Sequence, residues 1–214
     1  MRRALRVNPT LTTPTIVRVA TVGTLALAVL CQFLQHTDPT FPLLYFTVDS
    51  AVLLVLVLAL SLVRPGSSTV DVVRGAATVG VVVSGLIFAT VIAPNSATGT
   101  WFAPWDDIFV RTATVLMHGI GPFLAVADFL THDYPAASTR RTVAWWCAWP
   151  IAYILAIISL AAVGAGHVPY TFLSPQTGGG VLGVAGAMVV LTAIVALLGY
   201  VLARVHRAVR PRLA

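Results

Sequence analysis

Two short stretches of the chain carry residue types that do chemistry together. Thr47, Asp49 and Ser50 open one apolar segment, and Asp107, Arg111, Thr114 and His118 recur at spacings of four, three and four residues in another. A hydroxyl, an imidazole and a carboxylate are the parts of a nucleophile, a base and an orienting group. A neutral hydroxyl attacks an ester only when something accepts its proton. On a helix the second series forms one polar stripe, and an ionisable residue inside a membrane helix is costly enough to read by default as functional.

Each of these residues also has a plainer reading. Arg111 serves as a cation snorkelling to the interface, or as a partner for Asp107 one turn above or for Asp49 at similar depth. Pro122 has no N–H, so the carbonyl of His118, four residues earlier, loses its helical partner, while Gly119 and Gly121 leave room for a bend, a water or a ligand chain. A structural kink held by neighbouring helices accounts for the same residues. Thr and Ser in membrane helices commonly bond their own preceding carbonyls. His118 falls about 15 Å down its helix and Thr47 within the first turn or two. The two meet only if the second helix begins near Phe41 or the helices tilt strongly, and Ser50, deeper, is the fallback nucleophile.

The elements that must position these groups follow from composition. Hydrophobic residues make up 58% of 214 and charged residues 9%, far below the roughly one quarter charged that a soluble domain carries. The expectation is an all-α integral membrane protein, residues 1–214 forming a single six-helix transmembrane domain. The spans run from Ile16 to Phe33, Phe46 to Val63, Gly75 to Ile92, Ile108 to Leu130, Trp145 to Val163 and Val181 to Leu202. The first apolar run is longer than a signal-peptide core and reads as a span. Asp38-Pro39, Pro65-Gly66, Pro94-Asn95, Tyr134-Pro135 and Ser174-Pro175 supply the turns.

Arg2, Arg3, Arg6, Arg18, Arg64, Arg74, Arg140, Arg141, Arg204, Arg207, Arg210 and Arg212 all fall on one side of this scheme, leaving Arg111 as the exception. That bias predicts a multi-pass protein of the cell membrane with cytoplasmic N- and C-termini. The arginines read as topology signal and anionic-lipid contact, with no nucleic-acid partner. Trp101, Trp105, Trp145, Trp146 and Trp149 read as interfacial belts, and Gly179, Gly183 and Ala187 as a face for close helix approach. Cys31 and Cys147 lie in apolar segments without metal or redox spacing, so no disulfide, zinc or other cofactor is expected. His36, His132, His167 and His206 lie toward segment ends, which leaves no second midplane ligand for a haem on His118.

Four motifs give a further indication. YFT-x-x-S at Tyr45 to Ser50, H-x-x-x-P followed by an acid at His118, Pro122 and Asp128, W-P-x-x-Y at Trp149 to Tyr153, and P-Y-x-F-L at Pro169 to Leu173 resemble the bacterial Pr-six-Pr membrane proteins. Those look related to the androgen-induced and androgen-dependent integral membrane hydrolases of animals. The resemblance implies a membrane-embedded threonine nucleophile, at Thr47, and a histidine partner, at His118, hydrolysing fatty acid esters of hydroxy fatty acids. It also marks Asp128, Tyr153 and Tyr170 as positions matching the family pattern. The family's Asn one turn before the histidine is Thr114 here.

The sequence therefore leads to a lipid ester hydrolase whose partners are membrane lipids and a lipid-like ester substrate. Thr47 and His118 are catalytic in it, and Asp49, Ser50, Arg111, Thr114, Asp128, Tyr153 and Tyr170 bind or support. The alternatives are a non-catalytic lipid- or small-molecule-binding protein built on the same cluster, and a proton-linked transporter using Asp49, Arg111 and His118. Oligomeric state is not encoded in any feature of the chain.

Overall fold

The computed structural model describes residues 13–64, 66–132 and 140–209. Over these residues the chain is all-helical, with six helices long and apolar enough to cross a membrane: α1 (Thr13–Leu34), α2 (Phe46–Val63), α3 (Ser68–Ile92), α4 (Ile108–Thr131), α5 (Arg140–Ala162) and α6 (Gly180–Val209). Short 3₁₀ turns at Pro42–Leu44 and Thr171–Leu173 precede α2 and α6. The expected limits of α2 and the start of α4 coincide with those observed. Arg2, Arg3, Arg6, Arg210, Arg212 and the Tyr134-Pro135 turn lie outside the described residues, as does Pro65.

Helix α3 is the centre of the bundle. More than half of its span window is buried, 56% against 11% for α6, and it touches α2, α4, α5 and α6, whereas α1 packs on α2 and α4. The cause is its small side chains. Helices as apolar as these on all faces pack by close van der Waals approach, and Gly, Ala, Ser and Thr permit it. Gly75, Gly80 and Gly85 recur every five residues, and five residues turn a helix by about 140°. Each glycine therefore meets a different neighbour: Gly75 the ring of Trp146 on α5, Gly80 Ser50 and Trp149, and Gly85 Pro122 and the His118 carbonyl on α4.

Several expectations fail here for a common reason, the pairing of polar groups inside the bundle. Helix α3 begins at Ser68 rather than Gly75, because Ser67 caps it and Asp71 and Arg74 neutralise each other at 2.9 Å within its first turns. Arg74 is thus a buried ion-pair member and not a residue flanking a connection. Arg18 is buried too: Nε lies 3.0 Å from Asp128 Oδ1 and Nη1 donates to Ser61 Oγ at 3.0 Å. That cluster joins the start of α1 to the ends of α2 and α4 and fixes those helix ends at one end of the bundle. Helix α5 starts at Arg140 instead of Trp145, and α6 continues to Val209 beyond Leu202.

The aromatic belt is only partly a belt. Trp105 and Trp145 are exposed, but Trp146 is fully buried over Gly75, and Trp149 donates its indole N–H to Ser50 Oγ at 3.0 Å. The Gly179–Gly183 face likewise does a different job. Gly179 and Gly180 adopt φ of +83° and +73°, and the Gly178 carbonyl folds against the Cα of Gly183, closing the turn that starts α6 rather than admitting another helix. Ala187, one turn on, does pack on the Tyr153–Leu173 cluster.

Two helices change pitch at the same level. Phe88–Ile92 at the end of α3 and Val115–Ile120 in the middle of α4 are π-helical. In α4 this is the local answer to Pro122: the Gly121 N–H bonds the Leu116 carbonyl five residues back, so the missing donor is absorbed by a wider turn instead of a sharp kink.

Candidate functional site

The two π turns meet. Phe88 and His118 stack face to face with ring centroids 3.9 Å apart and planes at 7°, and Trp101 closes edge-on against Phe88 at 5.3 Å. Turns of this kind recur at functional sites because the extra residue re-aims side chains that a regular helix would stack in register. Here the re-aimed residue is the histidine. Its Nδ1 is buried and finds no hydrogen-bond partner among the described residues, and the backbone of Ser84 on α3 lies beside the imidazole.

His118 forms part of the wall of a cavity of about 640 Å³ at the end of the bundle away from Arg18. That volume lies within the roughly 300–1,000 Å³ typical of small-molecule sites. Thr47 at the start of α2, Thr114 and His118 on α4, and Tyr170 from the α5–α6 connection all line it. A second, smaller and mainly apolar cavity of about 50 Å³ runs between α2, α3, α5 and α6 past Phe46, Val83, Tyr153 and Leu173. Thr47 and Tyr170 stand in the wall common to both.

The position of Thr47 is set by how α2 starts. Pro42 opens the 3₁₀ turn, and Tyr45 is extended at φ −96° and ψ 126°, so the chain bends just before the helix. Tyr45 makes no side-chain cap to the orphan amides of α2. The Tyr170 hydroxyl does so from across the bundle, accepting the Phe46 N–H at 3.1 Å beside the Thr47 side chain. Tyr45 in turn donates to Asp38 Oδ2 at 2.6 Å and Tyr153 to the Leu44 carbonyl at 2.6 Å, so three phenols clamp the residues around Thr47. Burial raises the Tyr170 phenol to about 12 and raises that of Tyr45 further, with Asp38 adding to the effect. Both remain neutral at physiological pH.

The cavity thus brings together Thr47, His118, Thr114 and Tyr170. Among the described residues no hydrogen bond joins Thr47 to His118; the two face a shared space. The depth mismatch is met by neither an earlier start of α2 nor direct contact, but by an open volume between them.

The remaining candidates lie elsewhere. Ser50 is completely buried, accepts the Trp149 N–H and lines neither cavity, so it is not placed as a fallback nucleophile. Asp128 belongs to the Arg18 cluster at the opposite end, also 3.2 Å from His132 Nδ1, and takes no part in the cavity. Asp49 is half-buried on α2 near the Tyr153 and Tyr170 phenols. It does not pair with Arg111, whose guanidinium donates to the carbonyls of Asp106, Ala103 and Pro104 at 3.0, 3.1 and 3.2 Å. Nor does Arg111 pair with Asp107. That carboxylate caps α4 through the Phe109 and Val110 N–H groups and ties down His36 N–H and Thr37 Oγ1. Four donors hold its pKa down at about 2.

Sequence reasoning missed Asp38, Tyr45, Gln32, Asn95 and Ser96 as cavity-lining groups. Asp38 was visible only as a turn residue and Tyr45 only inside a motif. A phenol placed directly before a helix that has no capping side chain was the available signal. Among the described residues no group of three His, Cys or Asp side chains converges as a metal site requires. No family model, curated protein or solved structure matches the chain.

Proposed function

We propose that the chain is a membrane-embedded hydrolase that cleaves a lipid ester, a fatty acid ester of a hydroxy fatty acid or a close analogue, with Thr47 as nucleophile and His118 as base. The observation that carries this reading is the single cavity whose wall holds both side chains, with an apolar extension beginning at Thr47 itself. The resemblance of the Tyr45–Ser50 and His118–Pro122 motifs to the Pr-six-Pr and androgen-induced membrane proteins supports the same two residues.

In this reading the ester and its hydrocarbon chain occupy the larger cavity, with the end of an alkyl group reaching the smaller apolar one past Thr47. Thr47 Oγ1 attacks the carbonyl carbon while its proton passes to the imidazole, directly or through one water. The alcohol leaves with that proton, and a water activated by the same imidazole releases the acid from the threonyl ester. Catalytic hydrogen bonds are commonly loose before substrate enters, so the open space between Thr47 and His118 is compatible with this chemistry. Arg111, committed to backbone carbonyls, holds the loop above the cavity and is not assigned a substrate carboxylate.

The protein is to be purified in detergent and treated with a hydroxyl-directed fluorophosphonate probe and with lipid esters. Labelling and turnover should be present in the wild type, absent in Thr47→Ala and strongly reduced in His118→Ala. Equal labelling and turnover in all three would refute the proposal. A second reading, a lipid-binding protein without catalysis, draws on the absence of a direct Thr47–His118 hydrogen bond; it predicts co-purifying lipid with neither adduct nor product.

The same proposal puts the cavity on the extracytoplasmic side, since exposed Arg64, Arg140, Arg141, Arg204 and Arg207 lie on the other. A C-terminal fluorescent-protein fusion should fluoresce and a C-terminal alkaline phosphatase fusion should be inactive; the reverse pattern inverts the topology.

A further inference from the structure

The phenol of Tyr170 has one proton to give and two lone pairs to receive. One lone pair is occupied by the Phe46 N–H at 3.1 Å. Among the described residues no carbonyl or carboxylate takes its O–H; its hydrogen-bonding neighbours are the Thr47 hydroxyl and the Tyr153 phenol, and that oxygen stands beside Thr47 in the wall common to the two cavities.

Three other polar groups nearby are already engaged. Tyr45 gives its proton to Asp38 at 2.6 Å, Tyr153 to the Leu44 carbonyl at 2.6 Å and Ser96 to the Ala93 carbonyl at 2.8 Å. Tyr170 is therefore a donor adjacent to the nucleophile, and among the described residues no carbonyl or carboxylate holds its proton. The N–H it receives comes from the first turn of α2, so the positive end of an 18-residue helix polarises the phenol toward donation. Burial keeps the group protonated across the physiological range.

We propose that Tyr170 is an oxyanion donor in the reaction of Thr47, its O–H hydrogen-bonding the carbonyl oxygen of the bound ester. The inference rests on the hydrolase reading. As Thr47 Oγ1 forms its bond to the carbonyl carbon, the π pair of the C=O moves onto oxygen and the Thr47 proton moves to His118. Tyr170 keeps its own proton and strengthens its hydrogen bond as that negative charge develops. Collapse restores the C=O, breaks the bond to the alcohol oxygen, and returns the proton from His118 to the departing alcohol. A donor that acts in the transition state more than in the ground state lowers kcat and leaves KM nearly unchanged when removed.

The test uses full-length protein and three readouts: steady-state hydrolysis, affinity for a long-chain alkyl trifluoromethyl ketone, and affinity for the matching ether. The ketone forms a tetrahedral adduct with the nucleophile that bears the oxyanion, whereas the ether binds through its chain only. Tyr170→Phe should lower kcat by about 10²–10³-fold with KM changed less than about threefold. Ketone affinity should fall in parallel and ether affinity should hold. Wild-type kcat in Tyr170→Phe, or equal losses for ketone and ether, overturns the proposal while leaving Thr47 and His118 in place. Absence of turnover and of labelling in the wild type overturns the hydrolase reading and this inference together.

Because Tyr170→Phe also removes the cap on Phe46, 3-fluorotyrosine at position 170 serves as the second variant. It keeps the oxygen that accepts the Phe46 N–H and makes the phenol a stronger donor. Tighter ketone binding with unchanged ether binding supports the role; unchanged ketone binding refutes it.

Discussion

Replacing Asp128 separates a structural acid from a catalytic one. Asp128 is 1% and Arg18 6% exposed, with the guanidinium bonded at 3.0 and 3.5 Å to the two carboxylate oxygens and at 3.0 Å to Ser61. Asp128→Ala leaves a buried cation with Ser61 as its remaining partner in this set, and breaking such a pair costs about 3–5 kcal/mol. Asp128→Asn keeps one acceptor and should sit near the lower figure. For a chain of this size 1 kcal/mol corresponds to roughly 2–4 °C in midpoint, so Asp128→Ala should unfold roughly 6–20 °C earlier in detergent. The double variant Arg18→Met with Asp128→Leu should recover most of the loss, because the cost of burying each charge disappears with the charge. Fluorophosphonate labelling per folded molecule should stay at the wild-type level throughout, since the cavity lies at the other end of the bundle. A destabilisation below about 1 kcal/mol, or lost labelling in protein that remains folded, would refute the assignment.

Further outcomes follow from individual contacts. A Cβ at Gly85 would lie 2.7 Å from Pro122 Cγ and 3.0 Å from the His118 carbonyl. Gly85→Ala should therefore cost about 1–3 kcal/mol by overpacking and slow turnover by displacing the histidine. Gly186→Ala, with nothing within 4 Å of the new methyl, is the silent control. Ser50→Ala should leave probe labelling unchanged while lowering stability by about 1–3 kcal/mol, as the Trp149 N–H loses its acceptor; abolished labelling would reinstate Ser50 as nucleophile. Asp107 has its pKa depressed from 3.8 to about 2 by backbone donors. Its contribution to stability is complete above the unfolded value and is lost as pH falls through the folded one. Melting curves from pH 5 to pH 2 should therefore converge for wild type and Asp107→Ala, and curves that stay parallel would show that the cap contributes nothing.

The number and approximate placement of the spans could be read from the sequence because they depend on local quantities. Phe46–Val63 is a mainly apolar run bounded by an extended Tyr45 and Arg64, and Asp107 stands one residue before α4, where an N-cap belongs. Thr47 and His118 could be named from residue type and motif, and both line the cavity. Local rules failed wherever a polar group is satisfied by a partner inside the packed bundle. Hydropathy pushed Arg18 and Arg74 toward the water, because it treats each charge as unpaired. The partner of Arg18 is 110 residues away, and that of Arg74 one turn away inside a packed helix. Indole placement failed for the same reason: Trp146 is buried because Gly75 on α3 leaves space for its ring.

By itself the sequence determined a six-helix, membrane-compatible chain with a hydroxyl and an imidazole on different helices, since length, apolarity and residue type need no knowledge of neighbours. Only the tertiary structure decided which polar groups face each other. It removed Ser50, Asp128 and Arg111 from the candidate site by giving each a partner elsewhere. It gave Tyr170, already marked by the Pro169–Leu173 motif, a place across the start of α2. It also converted the Pro122 break into a π turn that stacks His118 on Phe88. A side chain's chemistry belongs to the sequence, but whether its proton, lone pair or charge is already spent is settled by contacts among helices far apart along the chain.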